Sequence, residues 1–324
     1  MKTSISILKQ RSTLAAIVVI IVLALLPKFG VPQTWLLYFF LFYAYLAMAN
    51  MWNLLAGYCG LISLCQPAFL GIAGYTVVIF TWSGLPFYLG IIVGGIIAAA
   101  FAAVISAPVF RLKGIYFTVG TLIVPEILKI IFFLWKPVGG KLHGGGAGYM
   151  IKGVSGLTLS QNYWLAFVIA VVSILFMRSI LDSKVGLGLA AIRDNDDTAA
   201  SSGVNVFGLK LYAFVISAFI TGIAGAVFFV YQGYIEPVST FNVKWTITLM
   251  IATVVGGLGT REGPIVGTII VVILHFMLSK YEGMSLLIQG IILVAVMLLA
   301  PQGIIGYVRE TRAYLALSRL VTRT

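Results

Sequence analysis

Long apolar runs recur along the chain, and a short polar or glycine-rich stretch separates each run from the next. A run of about 18 or more residues with few charges is long enough to cross a bilayer as a helix. About ten transmembrane spans are predicted, at roughly 12–27, 35–56, 64–82, 87–110, 115–134, 163–181, 211–231, 245–260, 264–280 and 285–300. The pattern therefore predicts an all-α polytopic membrane protein in which residues 1–324 form a single transmembrane domain.

Composition supports membrane residence and excludes a soluble globular protein. Hydrophobic residues make up 61% of the chain and charged residues 9%, and the mean hydropathy is +1.09. A soluble domain has roughly 45–50% apolar and about 25% charged residues. Membrane lipid is therefore the expected surroundings of most of the surface.

The formal net charge of +12 marks orientation rather than a nucleic-acid partner. Cytoplasmic loops of membrane proteins carry the excess of Lys and Arg. We expect the N-terminus to lie inside the cell and the first span to remain uncleaved, with each later span crossing back. Most basic clusters then lie on the inner side. They contain Arg111, Lys113, Arg178, Lys184, Arg193, Lys210, Arg309, Arg312, Arg319 and Arg323. Both termini are predicted to be cytoplasmic, and the longer loop 135–162, with three lysines, is predicted to be external.

Two segments interrupt the apolar pattern with glycine and proline. They are NLLAGYCGLISLCQPAFLGIAGY, from Asn53, and VVGGLGTREGPIVGT, from Val254. Paired interruptions in the two halves of a transporter often mark broken helices beside the solute path. Ordinary tight turns between spans are the alternative. The predicted pathway residues are Asn50, Asn53, Gly57, Gln66, Pro67, Gly71, Tyr75, Gly257 and Gly259.

Catalytic and metal-binding patterns find little support. His143 and His275 have no Cys, Asp or Glu at metal-ligand spacing, and Cys59 and Cys65 form no metal pattern. The chain also lacks the G-x-x-x-x-G-K-[ST] phosphate loop, so a source of energy from ATP must lie in another chain. We therefore expect a non-catalytic protein without a metal or cofactor of its own.

One charged pair is predicted inside a span. Glu126 and Lys129 are three residues apart in VPEILK, so they share a helix face and are able to pair. An ionisable residue within a membrane carries a functional hypothesis by default, and a structural ion pair is the alternative.

Residues 182–210 form the most polar segment that the topology places inside. Asp194 or Asn195 is suited to cap a short helix, with Asp196 and Asp197 in its positive first turn, and Gly203 is suited to end it. A helix of about eight residues is unstable alone, so it needs a surface to dock against. A packed loop without a partner is the alternative.

The same region carries a resemblance to a known family. The stretch GLGLAAIRDNDDTAASSGVNVFGLKLYAFVISAFITGIAGAVF closely resembles the M-type permease subunits of branched-chain amino acid ABC importers. Within it, Asp197-Thr198-Ala199 followed by Gly203 approximates the E-A-A-x-x-x-G coupling motif of ABC permeases. WNLLAGYCGLISLCQPAFLGIAGY, IYFTVGTLIVPEILK and VVGGLGTREGPIVG are similar to the same family, and the resemblance covers about residues 35–305.

The resemblance implies a permease in the bacterial cytoplasmic membrane that works with other chains. These are a second permease subunit, two cytoplasmic ATPases that bind the ATP, and an extracytoplasmic solute-binding protein. It implies contact with the ATPases at Arg193, Asp194, Asn195, Asp196, Asp197, Ala199 and Gly203. Branched-chain amino acids are the expected solutes, with urea or short amides as the alternative because Cys65-Gln66-Pro67-Ala68-Phe69 and Arg261-Glu262 depart from the family pattern. A stand-alone ion-coupled carrier or channel is a further rival.

Overall fold

The structure is a computed structural model, and it describes residues 18–139, 144–278, 287–288, 290–291, 294–295, 298 and 303–310. The elements in chain order are α1 (Val18–Phe29), α2 (Gln33–Asn53), α3 (Gln66–Trp82), α4 (Phe87–Val109), α5 (Ile115–Leu134), β1 (Tyr149–Met150), α6 (Leu159–Leu181), α7 (Lys184–Asp194), α8 (Asp196–Ser201), α9 (Val206–Gln232), β2 (Tyr234–Ile235), α10 (Pro237–Thr240), α11 (Lys244–Gly256), α12 (Gly263–Leu278) and α13 (Gly303–Glu310).

The helices lie where the hydropathy pattern predicts spans. Six segments in the described part of the chain are long and apolar enough to cross a membrane, namely Gln33–Tyr58, α4, α5, α6, α9 and Pro237–Gly256. The apolar helices α1, α3 and α12 are shorter and match three further predicted spans. Residues 12–17 and most of the predicted span 285–300 lie outside the described residues, so the count of about ten stays a prediction.

Small residues bring the central helices together. Helices α3, α4 and α9 pack against one another, α2 packs on α6 and α9, and α11 and α12 pack together against α2. A Cβ atom on Gly94 of α4 would lie 2.8 Å from the carbonyl oxygen of Ala73 in α3, and one on Gly222 of α9 would lie 2.9 Å from Ala98. Small residues at these positions therefore let the backbones approach closely, as is typical of packing between membrane helices.

The bundle has two distinguishable ends. The sheet end carries β1 and β2, two strands far apart along the chain that pair antiparallel with Tyr149 opposite Ile235. There the indole nitrogen of Trp82 donates to the carbonyl of Met150 (2.9 Å), and the ammonium of Lys152 lies 3.5 Å from the centre of the Trp82 ring. The α8 end carries α7, α8 and the loop 257–262.

Tyr149 holds the two paired strands in place. Its hydroxyl donates to the carbonyl of Val138 at 3.0 Å, and its ring packs edge-on to Trp82. Burial raises the pKa of Tyr149, so the hydroxyl stays protonated and remains a donor.

Replacing Gly94 by alanine tests the packing of α3 on α4. The new methyl group meets the backbone of Ala73 rather than a movable side chain, so we expect unfolding to become about 1–3 kcal/mol easier. Thermal unfolding in detergent micelles measures this change. Gly156→Ala is the matched control because nothing lies within 4 Å of its Cβ position. Equal melting temperatures for the two variants would contradict the packing account.

Candidate functional site

The two glycine- and proline-rich segments cross each other at the α8 end. Helix α2 closes in a π-helical turn, Leu54–Tyr58, and α11 stops at Gly256. The side chain of Asn53 joins the two segments, because its carbonyl oxygen accepts from the amide of Gly259 and its amide nitrogen donates to the carbonyl of Thr260, both at 2.9 Å. We call Asn53, Gly57, Gly259 and Thr260 the crossing.

Glycine is required on both sides of the crossing. A Cβ atom on Gly57 would lie 2.8 Å from the Cα of Gly259, which is closer than packed atoms approach. Gly259 itself has φ +72° and its neighbour Gly257 has φ +129°, a region that side chains disfavour. The sequence interruption therefore corresponds to a close contact between two backbones.

Residues 59–65 are irregular backbone set into the bundle rather than a tight turn. The hydroxyl of Thr118 donates to the carbonyl of Ile62 (3.0 Å), and the amide of Leu64 donates to the hydroxyl of Thr121 (3.0 Å). Thr121 lies about 9 Å along α5 from its first residue, at 1.5 Å per residue. Side chains of α5 thus supply the partners that water would supply at the surface, as membrane depth demands.

Helix α2 supplies a further partner to the same segment. The indole nitrogen of the buried Trp52 donates to the carbonyl of Ser63 at 2.9 Å. Helix α3 then begins at Gln66, with Pro67 in its first turn, where a missing amide hydrogen costs nothing. The prediction of a broken helix at this point is confirmed.

Arg193 connects the crossing to the polar segment that precedes α8. It lies in the last turn of α7, and its guanidinium donates to the carbonyl of Gly57 at 3.1 Å. A Cβ atom on Gly60 would lie 3.2 Å from the Cα of Arg193, so the two backbones are also near each other. The predicted coupling residue Arg193 and three of the predicted pathway residues, Asn53, Gly57 and Gly259, thus meet in one place.

Helix α8 forms as the sequence predicts. The side-chain oxygen of Asn195 accepts from the amides of Asp197 and Thr198, both at 2.9 Å, so Asn195 rather than Asp194 is the cap. Asp196 and Asp197 occupy the first turn. The helix has six residues instead of about eight, and Gly203, with φ +83°, follows its end.

Helix α7, the 11-residue helix that precedes α8, was not predicted. Its signal is present, because the hydroxyl of Ser183 accepts from the amide of Val185 as a helix cap. Two glycines within the helix weaken its propensity, which hides it from a reading of polarity.

Ion pairs attach α8 and its neighbours to the spans. Asp196 pairs with Lys210 at the start of α9, and this pair is partly buried. Asp182 pairs with Arg261 in the second interrupted segment. Lys113, before α5, lies 3.6 Å from Asp197, but both side chains are exposed, so this contact contributes little. These pairs therefore join α8 to α9, and the start of α7 to the second interrupted segment.

The small residues of α8 do not all face outward. Ala199 is buried against the chain itself, whereas Ala200, Ser201 and Ser202 are exposed. Asp194 is also exposed, and its carboxylate lies 3.4 Å from the guanidinium of Arg193. A groove on another protein would meet Ala200 and its exposed neighbours, because Ala199 packs inward.

The remaining predicted pathway residues lie in the packed interior along α2 and α3. Asn50 is buried and donates to the hydroxyl of Ser173 at 3.2 Å, between α2 and α6. Gln66 is fully buried, and neither of its amide atoms has a hydrogen-bond partner among the described residues. Gly71 makes room for the ring of Phe241. These residues do not join the crossing.

An aromatic cluster fills the space between α3, α5 and α10 towards the sheet end. The ring of Tyr75 lies 4.3 Å from that of Phe132 and is stacked on Phe241 at 6.1 Å, and Phe132 and Phe241 are 5.2 Å apart. Sequence reasoning selected Tyr75 but missed both phenylalanines, because neither stands out in an apolar segment.

The predicted pair of Glu126 and Lys129 forms on α5. Their side chains are 48% and 31% exposed, so the pair lies on an outer face of the helix. Glu126 is about 17 Å from the start of α5, close to its middle. A lysine at the centre of a span costs about 2.5–3.5 kcal/mol to insert. Such a pair is an unusual occupant of a face that lipid would cover.

Histidine chemistry gains no support from the geometry. His275 lies on the exposed face of α12, and His143 lies outside the described residues. Within the part of the chain that the structure describes, no group of three His, Cys, Asp or Glu side chains is placed to hold a metal ion.

Comparison with known families identifies the chain. The model of the family described as the permease component of the branched-chain amino acid transport system matches residues 34–301. The chain belongs to this permease family. The resemblance carried by the coupling segment is thereby confirmed, and the matched region includes both interrupted segments, the α5 ion pair and α8.

Individual relatives of this permease are distant. It is 26% identical over 283 residues to the high-affinity branched-chain amino acid transport system permease protein LivM of Escherichia coli strain K12, covering 79% of this chain and 66% of the relative. It is 24% identical over 232 residues to a probable LivM of Methanocaldococcus jannaschii, covering 67% of each. A probable LivH of the same organism is 27% identical over 149 residues, 43% of this chain and 46% of that one.

The chain thus spans just under two thirds of the Escherichia coli LivM relative. No solved structure matches this permease.

Replacing Asn53 by alanine tests the crossing. The variant loses both hydrogen bonds and leaves the amide of Gly259 without its acceptor, so we expect unfolding to become about 1–3 kcal/mol easier. Thermal unfolding in detergent micelles measures the loss. Asn53→Asp keeps the acceptor for Gly259 but sets a buried carboxylate oxygen against the carbonyl oxygen of Thr260, so it should lose at least as much stability as Asn53→Ala. An alanine variant as stable as the parent would show that the side chain does not hold the two segments together.

Proposed function

We propose that the chain is a transmembrane permease subunit of an ATP-driven importer for branched-chain amino acids. The observation that carries the proposal is the family match over residues 34–301, which contains every element of the candidate site. The contact of Arg193 with Gly57 supports it, because a permease driven by another chain needs a connection from its surface to its interior.

The importer requires further chains. The sequence has no phosphate-binding loop, so ATP is bound and hydrolysed by two partner ATPases, and this chain needs no cofactor of its own. A second permease subunit fits the similarity of the chain to both LivM and LivH proteins. A solute-binding protein on the opposite side of the membrane would deliver the solute.

The distribution of charge supports one orientation of the bundle in the membrane. Basic residues concentrate at the α8 end, among them Lys184, Arg193 and Lys210, which makes that end cytoplasmic by the positive-inside rule. The sheet end then faces outward and meets the solute-binding protein. The chain is accordingly a multi-pass inner membrane protein with α8 towards the ATPases.

Coupling follows from the contacts at the α8 end. The exposed surface of α8 lies against an ATPase, and closure of the ATPases shifts α8 together with α7. Arg193 passes the shift to Gly57, and the salt bridge of Asp182 with Arg261 passes it to the second interrupted segment. Because the crossing joins both segments, a single displacement changes the opening of the bundle at its cytoplasmic end.

Uptake measurements test the function. The chain is expressed with its partner subunits, and binding-protein-dependent, vanadate-sensitive uptake of labelled leucine and labelled urea is compared with and without it. Leucine uptake that depends on the chain is the expected result. Dependence of urea uptake alone would retain the importer and replace the solute class. If neither solute depends on the chain, the proposed function is wrong.

Substituting Arg193 tests the coupling route. In Arg193→Gln the contact with Gly57 is weakened while α8 remains, so we expect ATP hydrolysis to continue and the leucine transported per ATP to fall at least about fivefold, as expected when a charge-assisted hydrogen bond is lost. The assay uses the complete importer in proteoliposomes. Arg178→Gln is the matched control, since it removes the same charge from an exposed position at the end of α6. An unchanged transport ratio in Arg193→Gln would refute this route.

A further inference from the structure

Helix α5 presents a charged pair on a face that is otherwise apolar. Glu126 and Lys129 lie in contact there, and Ile123, Ile127 and Ile130 surround them, each at least half exposed. The opposite face carries Thr121, Pro125, Leu128 and Phe132, which are buried within the bundle. One side of α5 is therefore core, and the other carries the only oppositely charged pair that the structure describes within a membrane-spanning helix.

Lipid is a poor occupant of this face. The pair lies near the middle of a 20-residue apolar helix, and polar groups at that depth usually face protein or a water-filled path. The buried face of α5 is already occupied, because Thr121 binds the backbone of the first interrupted segment and Phe132 belongs to the aromatic cluster. The charged face is left for protein or for a water-filled path, and the second permease subunit of the proposed importer is the chain that would cover it.

We propose that Glu126 and Lys129 bind the zwitterionic backbone of the amino acid as it passes between α5 and the second permease subunit. Glu126 pairs with the α-ammonium group, Lys129 pairs with the α-carboxylate, and the neighbouring isoleucines contact the aliphatic side chain. The inference rests on the proposed function and assigns the pair a substrate, which goes beyond membership of the family.

Charge balance is the physical reason for a pair rather than a single charge. A zwitterion that leaves water loses the hydration of two opposite charges, and the pair offers a partner to each of them. When the solute leaves, Glu126 and Lys129 bind each other again, so the membrane never holds an unpaired charge. Urea carries no charge and would gain only hydrogen bonds from this site.

Two double variants test the proposal in the complete importer. Single substitutions would strand one charge in the membrane, so both positions are changed together. Glu126→Gln with Lys129→Gln removes both charges, whereas Glu126→Lys with Lys129→Glu keeps a pair in reversed order. Leucine uptake and ATP hydrolysis are measured in proteoliposomes at varied concentrations of leucine-loaded binding protein. Lys28→Gln, an exposed position near the end of α1, controls for the loss of a lysine.

We expect the double-glutamine variant to lose about tenfold or more in kcat for leucine, because two charge-assisted contacts are lost in passage. KM for the loaded binding protein stays unchanged, because docking takes place at another surface. The charge-reversed variant retains a rate within about threefold of the parent, since the solute is free to turn around.

A double-glutamine variant with the parental kcat would overturn the proposal. So would a charge-reversed variant that is no faster, or failure of the double-glutamine variant to assemble, which would give the pair a structural role. The proposed function is judged separately, by leucine uptake through the unaltered importer.

Discussion

Backbone groups inside a membrane must find their hydrogen-bond partners within the protein, and this constraint shapes the site. Residues 59–65 leave helical structure within the bundle, where Cys59, Leu61, Ser63 and Cys65 are buried. Backbone groups of this segment bind the hydroxyls of Thr118 and Thr121 and the indole of Trp52. In the second interrupted segment, the backbone amide of Gly259 binds the side chain of Asn53. Irregular backbone is thus held in place by side chains, which are able to exchange partners at lower cost than a helix unwinds.

The crossing lies beside α8, the surface that a driving subunit would contact. The guanidinium of Arg193 reaches the carbonyl of Gly57 directly, so no long chain of intermediates separates α8 from the crossing. Helix α8 is held against the spans by α7 and by the ion pair of Asp196 with Lys210.

The sequence predicted the parts of the structure that depend on local pattern. Hydropathy located the described spans to within a few residues, and residue types around Asn195 located the cap of α8. The crossing was not predictable in the same way, because the partners of Asn53 lie about 206 residues away along the chain. Packing direction was also hidden: Ala199 and Ala200 are the same residue type, and only the fold shows that one is buried and the other exposed.

Helix α9 has a mechanical consequence of its own. It runs uninterrupted for 27 residues without an internal proline. It leads directly into β2 at the sheet end, and Lys210, near its other end, pairs with Asp196 of α8. At 1.5 Å per residue it is about 40 Å long. If it pivots as a rigid lever by about 5° around its middle, each end moves by about 2 Å in the opposite sense. A movement of α9 on one side of the membrane would then produce an opposite movement of its other end.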